Sequence, residues 1–180
     1  MNTALTIAGS DPSGGAGIQA DLKVFKRFGV YGLSVLSAAT AQNTLKVSAI
    51  ERIEGPFLYE QLNTILNDIR PDALKTGMLL SADAVRAVAR AVTSYGLLNL
   101  VVDPVILSTT GACLLEKKAA DVMREELFPL ARVITPNITE ASTLTGIAVS
   151  EESSMEQAAI ALKRSGPEVV VITGGHLEGE

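Results

Sequence analysis

Residues 8–23 read AGSDPSGGAGIQADLK, and the fold follows from how this stretch joins the segments on either side of it. Leu5 to Ala8 is a short apolar run suited to a buried strand, and Ile18, Leu22 and Phe25 recur at helical spacing after the glycines. The loop between them therefore lies at the carboxyl end of a strand. In open α/β sheets that is where ligands bind, and Gly14, Gly15 and Gly17 let a backbone approach a bound molecule with no Cβ in the way. Asp11 and Asp21 add carboxylates on either side. Taken alone, the loop is explained equally well as a plain turn, since most strand-to-helix connections need a glycine.

Two common nucleotide motifs do not fit it. Gly15-Ala16-Gly17-Ile18-Gln19-Ala20 matches the letters of the dinucleotide fingerprint, but six residues separate Ala8 from Gly15 where a tight turn directly off the strand is required. The acidic residue expected about 20 positions further on is missing, because Ser34 to Asn43 contains neither Asp nor Glu. No Lys-Ser or Lys-Thr pair follows the glycines, which excludes a P-loop.

The 180-residue chain suits one domain with a sheet covered on both faces. With 47% hydrophobic and 19% charged residues and a mean hydropathy of +0.30, it has the apolar strands of a buried parallel sheet. A net charge of −5 without a basic block argues against nucleic acid or an anionic membrane as partner. The single cysteine, Cys113, cannot form an internal disulfide and reads as a small buried apolar residue. The amino terminus carries a strand where a signal peptide needs a charged segment and an apolar core, and Gly29 to Leu45 is too polar for a membrane span. The expectation is a soluble cytoplasmic protein.

Along the chain, strands and helices alternate. Gly29 ends the first helix and Tyr31 to Ala41 is a strand closing in Ala41-Gln42-Asn43-Thr44. Gln42 and Asn43 either bond their own turn or, for Gln42, offer a paired donor and acceptor to a heterocycle. Val47 to Ile53 reads as a further strand at an edge. Pro56 starts a helix with Leu58, Leu62, Ile65 and Ile69 on one face. Ala73 to Thr76 is a strand ending in Gly77-Met78, where Met78 is either core or a thioether packed on a flat ring. Ser81 caps a helix whose Val85, Val88, Ala89 and Val92 are buried and which Gly96 stops.

Leu98 to Val102 is a strand that terminates in Asp103, a carboxylate that either caps the next turn or meets a cation. Glu116 to Leu127 is helical, with Ala120, Met123 and Leu127 inward. Val133 to Thr135 is a strand, and Asn137 and Glu140 follow three apart at a helix start, both directed beyond the strand. Glu140 either complements the helix dipole or joins Asp103 in an oxygen-rich magnesium site. Ser153 and Glu156 form a capping box for a helix bearing Met155, Ala158, Ala159 and Leu162. Val169 to Ile172 is the last strand, ending in Thr173-Gly174-Gly175-His176. The only histidine, His176, has no partner cluster that would make it a metal ligand. Right-handed crossovers gather the strand ends at Gly9, Gln42, Met78, Asp103 and Asn137 along one edge of a mostly parallel sheet.

Six motifs, in order, carry a resemblance. Ala8-Gly9-Ser10-Asp11, the Gly14 to Asp21 run, Ala41-Gln42-Asn43-Thr44, Lys75-Thr76-Gly77-Met78, Val102-Asp103-Pro104-Val105 and Thr135-Pro136-Asn137-x-x-Glu140 resemble the hydroxymethylpyrimidine and phosphomethylpyrimidine kinases of thiamine biosynthesis. These belong to the ribokinase-like superfamily. The resemblance implies an α/β fold, a three-layer αβα sandwich around a mostly parallel sheet. It also implies transfer of the γ-phosphate of ATP to 4-amino-5-hydroxymethyl-2-methylpyrimidine, and of a second phosphate to the monophosphate. Carried onto this sequence, Gln42 would read the aminopyrimidine edge. Gly9, Asp11, Ala16, Met78 and Val105 would line the substrate pocket, with Asp21 near the hydroxymethyl group. Asp103 and Glu140 would hold Mg²⁺, and Asn137, Thr173, Gly174 and Gly175 would border ATP.

Two departures from the pattern matter. Many relatives have Lys where Thr173 stands, and they carry a Gly-Thr-Gly-Cys segment, with an anion hole and the proposed base, downstream of the Gly-Gly-His motif. The resemblance thus leaves the base beyond Glu180 and implies that residues 1–180 are one ribokinase-like domain incomplete at its carboxyl end. A pyridoxal or pyridoxine kinase of the same fold, and a pyrimidine-binding fragment without catalysis, are the alternative readings. An exposed sheet edge in such a chain invites pairing, a homodimer included.

Overall fold

The computed structural model describes residues 1–106 and 117–174. Strands β1 (Thr3–Gly9), β2 (Tyr31–Gln42), β3 (Val47–Arg52), β4 (Ala73–Thr76), β5 (Leu100–Val102), β6 (Val133–Ile134) and β7 (Val169–Val170) form one sheet. Their spatial order is β3-β2-β1-β4-β5-β6-β7. Every pair is parallel except β2 with β3. The chain leaves β1 for β2 on one side and returns to β4 on the other, so β1 marks a reversal of strand order. The carboxyl end of such a strand is flanked by two connections that diverge, which opens a crevice there.

Alternation along β1 explains the layers. Leu5 and Ile7 are fully buried, and they join Leu33 and Val35 of β2, Leu58 and Leu62 of α2 (Gly55–Leu66), and Val85 and Val88 of α3 (Ala82–Tyr95) in one core. Thr6, between them, faces the other way and donates its hydroxyl to Asp21 Oδ2 of α1 (Gly17–Arg27) at 2.6 Å. Helices thus lie on both faces, α1 on one and α2 and α3 on the other. Gly32 lets α1 lie close to β2, because a Cβ there would stand 2.7 Å from Leu22 and 3.1 Å from Phe25. The core continues through α4 (Lys117–Val122), α5 (Ile138–Thr145) and α6 (Glu152–Lys163) by way of Ala119, Ala141, Leu144, Ala158 and Leu162. No helix among the described residues is long and apolar enough to cross a membrane.

Local signals held where the chemistry is local. Ser81 accepts a hydrogen bond from the Ala84 amide, and Gly96 closes α3 in the left-handed conformation at φ 59°. Several boundaries differ from the sequence reading. The strand expected from Leu98 begins at Leu100, with Leu98 80% exposed. The cause is the Gly96 cap, which turns Leu97 inward and leaves Leu98 outside before Asn99 O meets the Leu74 amide at 2.9 Å. Helix α2 stops at Leu66, so Ile69 packs on the core from beyond it; Pro71 disfavours helix in the residues just before it.

The second capping box is formed by Glu151 and Ser154 rather than by Ser153 and Glu156. The roles are inverted, with a carboxylate at the cap and a hydroxyl three residues on, and Ser153 merely donates to Glu151 at 2.6 Å. After α4 the chain widens into a π turn at Met123–Leu127, which turns Ala119, Val122, Met123 and Leu127 inward and leaves Ala120 half-buried. Strands β6 and β7 are shorter than expected, although Thr135 and Thr173 still donate to Val102 and Pro136 across the sheet. Cys113, Glu116, Gly175 and His176 lie outside the described residues.

Candidate active site

The loop after β1 is folded around Asp11. Its Oδ1 accepts from the Ser13 amide at 2.9 Å and hydroxyl at 2.7 Å, and its Oδ2 from the amides of Gly15 at 3.1 Å and Ala16 at 2.8 Å. The Asp11 amide in turn donates to Gln19 Oε1 of α1 at 2.8 Å. Burial opposes ionisation, but these four hydrogen bonds outweigh it and hold the Asp11 carboxyl below its ordinary range. Both oxygens are thus engaged by the loop itself. Asp11 nonetheless lines the hollow beside the loop, where it was expected.

Gly17 completes the turn with φ 58°, and a Cβ there would overlap the carbonyl oxygen of Gly9. Gly17→Ala is expected to destabilise the chain by about 2 kcal/mol, from left-handed strain plus backbone displacement. Urea denaturation checks this; an unchanged midpoint would mean that the loop relaxes freely.

The loop forms one wall of a hollow of about 390 Å³ at the carboxyl ends of β1, β2, β4 and β5. Gly9, Asp11, Ala16, Asp21, Gln42, Met78, Asp103 and Val105, all singled out in the sequence, line it together. At its base Met78 reaches across Gly9, where a Cβ would collide with the thioether methyl. The turn carrying Met78 is strained at Leu80, with φ 64°, and is tied to β2 by a 2.5 Å bond from the Ser37 hydroxyl to Met78 O. Gln42 has one side-chain hydrogen bond among the described residues, a long one of 3.4 Å from Thr40. Its amide is therefore open to a ligand.

Thr40, Val47, Ile50 and Lys75 are among the lining residues that were not singled out as ligands. Val47 and Ile50 arrive because β3 folds back antiparallel beside β2, a pairing that sequence spacing does not announce. Lys75 was legible as a cation inside an apolar strand. Its ammonium lies 3.1 and 3.3 Å from the Asp21 oxygens and 3.8 Å from Asp103 Oδ2. Burial pushes the Asp103 carboxyl up, Lys75 partly reverses this, and Asp21 adds to the rise.

Glu140 does not line the hollow. It is 4% exposed and bonds the Asn137 amide through Oε2 at 2.8 Å and the Ile106 amide through Oε1 at 3.4 Å, while Asn137 Oδ1 accepts from the Glu140 amide at 2.9 Å. The two residues are a capping box for α5, so their side chains point at each other's backbone rather than outward as expected. Burial raises the Glu140 carboxyl, the Asn137 amide lowers it, and the nearby Asp103 charge raises it again. Asp103 and Glu140 are thus electrostatic neighbours, one facing the hollow and one behind it. Thr173 bridges Asn137 through the backbone, and Thr173 and Gly174 are exposed at the same sheet edge.

The family profile described as Phosphomethylpyrimidine kinase matches residues 11–180. The chain belongs to this family. It is 50% identical over 173 residues to the thiamine biosynthesis bifunctional protein ThiED of Geobacter sulfurreducens, covering 96% of this chain and 35% of that protein. It is 46% identical to the hydroxymethylpyrimidine/phosphomethylpyrimidine kinase of Bacillus subtilis, covering 96% of this chain and 64% of the relative. The chain therefore spans about two thirds or less of the length of these relatives. Among solved structures, the phosphomethylpyrimidine kinase of Clostridium difficile superposes with a TM-score of 0.92 at 43% identity, over 100% of this chain and 78% of that one. A pyridoxal kinase of Bacillus subtilis in complex with ADP superposes with a TM-score of 0.89 at 41% identity, over 100% and 68%. The family's fold, an αβα arrangement with a mostly parallel sheet, is the fold of this chain.

Proposed function

We propose that the protein containing this sequence phosphorylates 4-amino-5-hydroxymethyl-2-methylpyrimidine and its monophosphate with ATP, in thiamine diphosphate biosynthesis. The observation that carries this reading is the hollow itself. An open primary amide at Gln42, a thioether floor at Met78 and a carboxylate at Asp21 meet in a space sized for one small heterocycle. Gln42 supplies the donor and acceptor that an aminopyrimidine edge requires, Met78 and Val105 pack on the ring faces, and Asp21 holds the hydroxymethyl end. In the first step the substrate hydroxyl oxygen forms a bond to the γ-phosphorus of ATP, the bond from that phosphorus to the bridging oxygen of the β-phosphate breaks to release ADP, and the hydroxyl proton passes to solvent.

Mg²⁺ is implied by the family. Among the described residues no three His, Cys, Asp or Glu side chains form a metal cage. Magnesium in phosphoryl-transfer sites uses one or two carboxylates and completes its shell with waters and phosphates, so the pair Asp103 and Glu140 fits it. Asp103 would hold the ion from the hollow side and Glu140 from behind, and the ion would offset phosphate charge. Asn137, Thr173, Gly174 and Gly175 would border the nucleotide. The net charge of −5 supports a reading without nucleic acid or anionic membrane partners, and ATP dependence supports a cytoplasmic one. The open edge of β3 supports self-pairing as a homodimer.

The test is turnover with ATP of the pyrimidine alcohol and pyridoxal side by side, product followed by mass. Preferential phosphorylation of the pyrimidine supports the reading; preference for pyridoxal, which the structural neighbours make the second candidate, overturns it. Gln42→Ala is expected to weaken pyrimidine binding by roughly 1 to 3 kcal/mol, by leaving polar ring edges unpaired. Calorimetry checks it, and an unchanged affinity would remove Gln42 from the site.

A further inference from the structure

Of the residues lining the hollow, one is cationic among those described, and three are carboxylates: Asp11, Asp21 and Asp103. Asp11 keeps its charge but has both oxygens bonded within its own loop, which leaves Lys75 between Asp21 and Asp103 at the base. An ammonium has three donors. Asp21 takes the nearest of them, and the 3.8 Å separation from Asp103 is an ion pair rather than a hydrogen bond, so donor capacity remains on the side of the hollow. Space is kept for it as well. A Cβ at Gly77 would stand 3.2 Å from Lys75 Nζ and 3.1 Å from the Ala8 side chain, crowding the ammonium.

Charge decides what this arrangement admits. Without Lys75 the base would present two carboxylates, and an incoming phosphate monoester, carrying nearly two negative charges at neutral pH, would be repelled. An uncharged alcohol would be indifferent to the same change. We propose that Lys75 is the specificity residue that admits the phosphorylated form of the substrate, by offering the one cation among the described lining residues, set against three carboxylates. This rests on the proposed function and adds to it a residue that separates the two phosphorylation steps.

The test compares affinities by calorimetry, without ATP, for the pyrimidine alcohol and for its phosphate monoester, in the wild type, Lys75→Met and Lys75→Arg. Lys75→Met is expected to weaken the monoester about 30-fold and the alcohol less than about 3-fold, and Lys75→Arg is expected to restore most of the difference. In the wild type, raised salt should weaken the monoester and leave the alcohol unchanged. Equal losses for both ligands in Lys75→Met, or a monoester affinity indifferent to both variants and to salt, would overturn the proposal. If Lys75→Met fails to fold, the wild-type salt comparison and Lys75→Arg decide the matter. Failure of the wild type to bind either molecule would instead strike at the proposed function.

Discussion

Asp103→Asn is expected to make the chain more stable and the kinase inactive. Burial disfavours the charged form of the Asp103 carboxyl, and Lys75 compensates only in part. Its side chain is 35% exposed, so solvent screens part of this effect. The gain on removing the charge is therefore modest, about 1 kcal/mol, or about 2–4 °C in melting temperature for a chain of this length. The sign follows from the raised folded pKa. The unfolded carboxyl ionises first as pH rises, so the wild type loses stability between the unfolded and the folded value and stays penalised above it. The advantage of asparagine is thus full at neutral pH and disappears as the pH falls to about 4. On the proposed reading the same substitution removes the carboxylate that would hold Mg²⁺ beside the hollow, and turnover should fall by at least about 100-fold. Thermal melts at pH 7 and pH 4, paired with the ATP assay, check both halves. A destabilised variant at neutral pH, or one that retains turnover, would mean that Asp103 serves as a cap for its own turn.

Asp11→Ala should act in the opposite sense on stability. It leaves the amides of Ser13, Gly15 and Ala16 without their acceptor and releases the wall of the hollow. The expected loss is about 3 kcal/mol, since hydrogen bonds to a charged group are the strong ones. Here the folded pKa is depressed, so the contribution of Asp11 is fully present above the unfolded value of about 3.9 and is lost as pH falls through the lower folded value. Urea midpoints of wild type and variant should differ at neutral pH and converge in strong acid. Pyrimidine affinity should fall with the wall, even though the Asp11 carboxylate points into its loop. A variant that keeps its stability would show that the loop is held by Gln19 and Gly17 alone.

What the sequence disclosed depended on how local each decision was. Helix α3 was readable from end to end because its cap at Ser81 and its stop at Gly96 are single-residue devices. The parallel order and the gathering of Gly9, Gln42, Met78 and Asp103 at one edge followed from alternating elements and crossover handedness. The ends of β5, β6 and β7 were less legible, since ladder pairing with a neighbour, rather than apolar length, decides where a short strand stops. Carboxylate roles were the hardest to read. Asp11 and Glu140 each occur in a stretch that suits either a ligand or a turn, and only the folded backbone shows that both bond amides of their own turns. Lys75 stood in plain view in an apolar strand, but its meaning required the approach of Asp21 from α1 and Asp103 from β5.

The account depends on the hollow beside β1 being where the pyrimidine sits. An amide-resolved NMR titration of the chain with the pyrimidine alcohol tests this most directly. The expected result is saturable shifts confined to Gly9–Gly17, Gln42 and Gly77–Met78, with the midpoint moved to higher ligand concentration in Gln42→Ala. Shifts centred elsewhere, around Leu98 or the outer edge of β7 for instance, or a midpoint unchanged in Gln42→Ala, would contradict it.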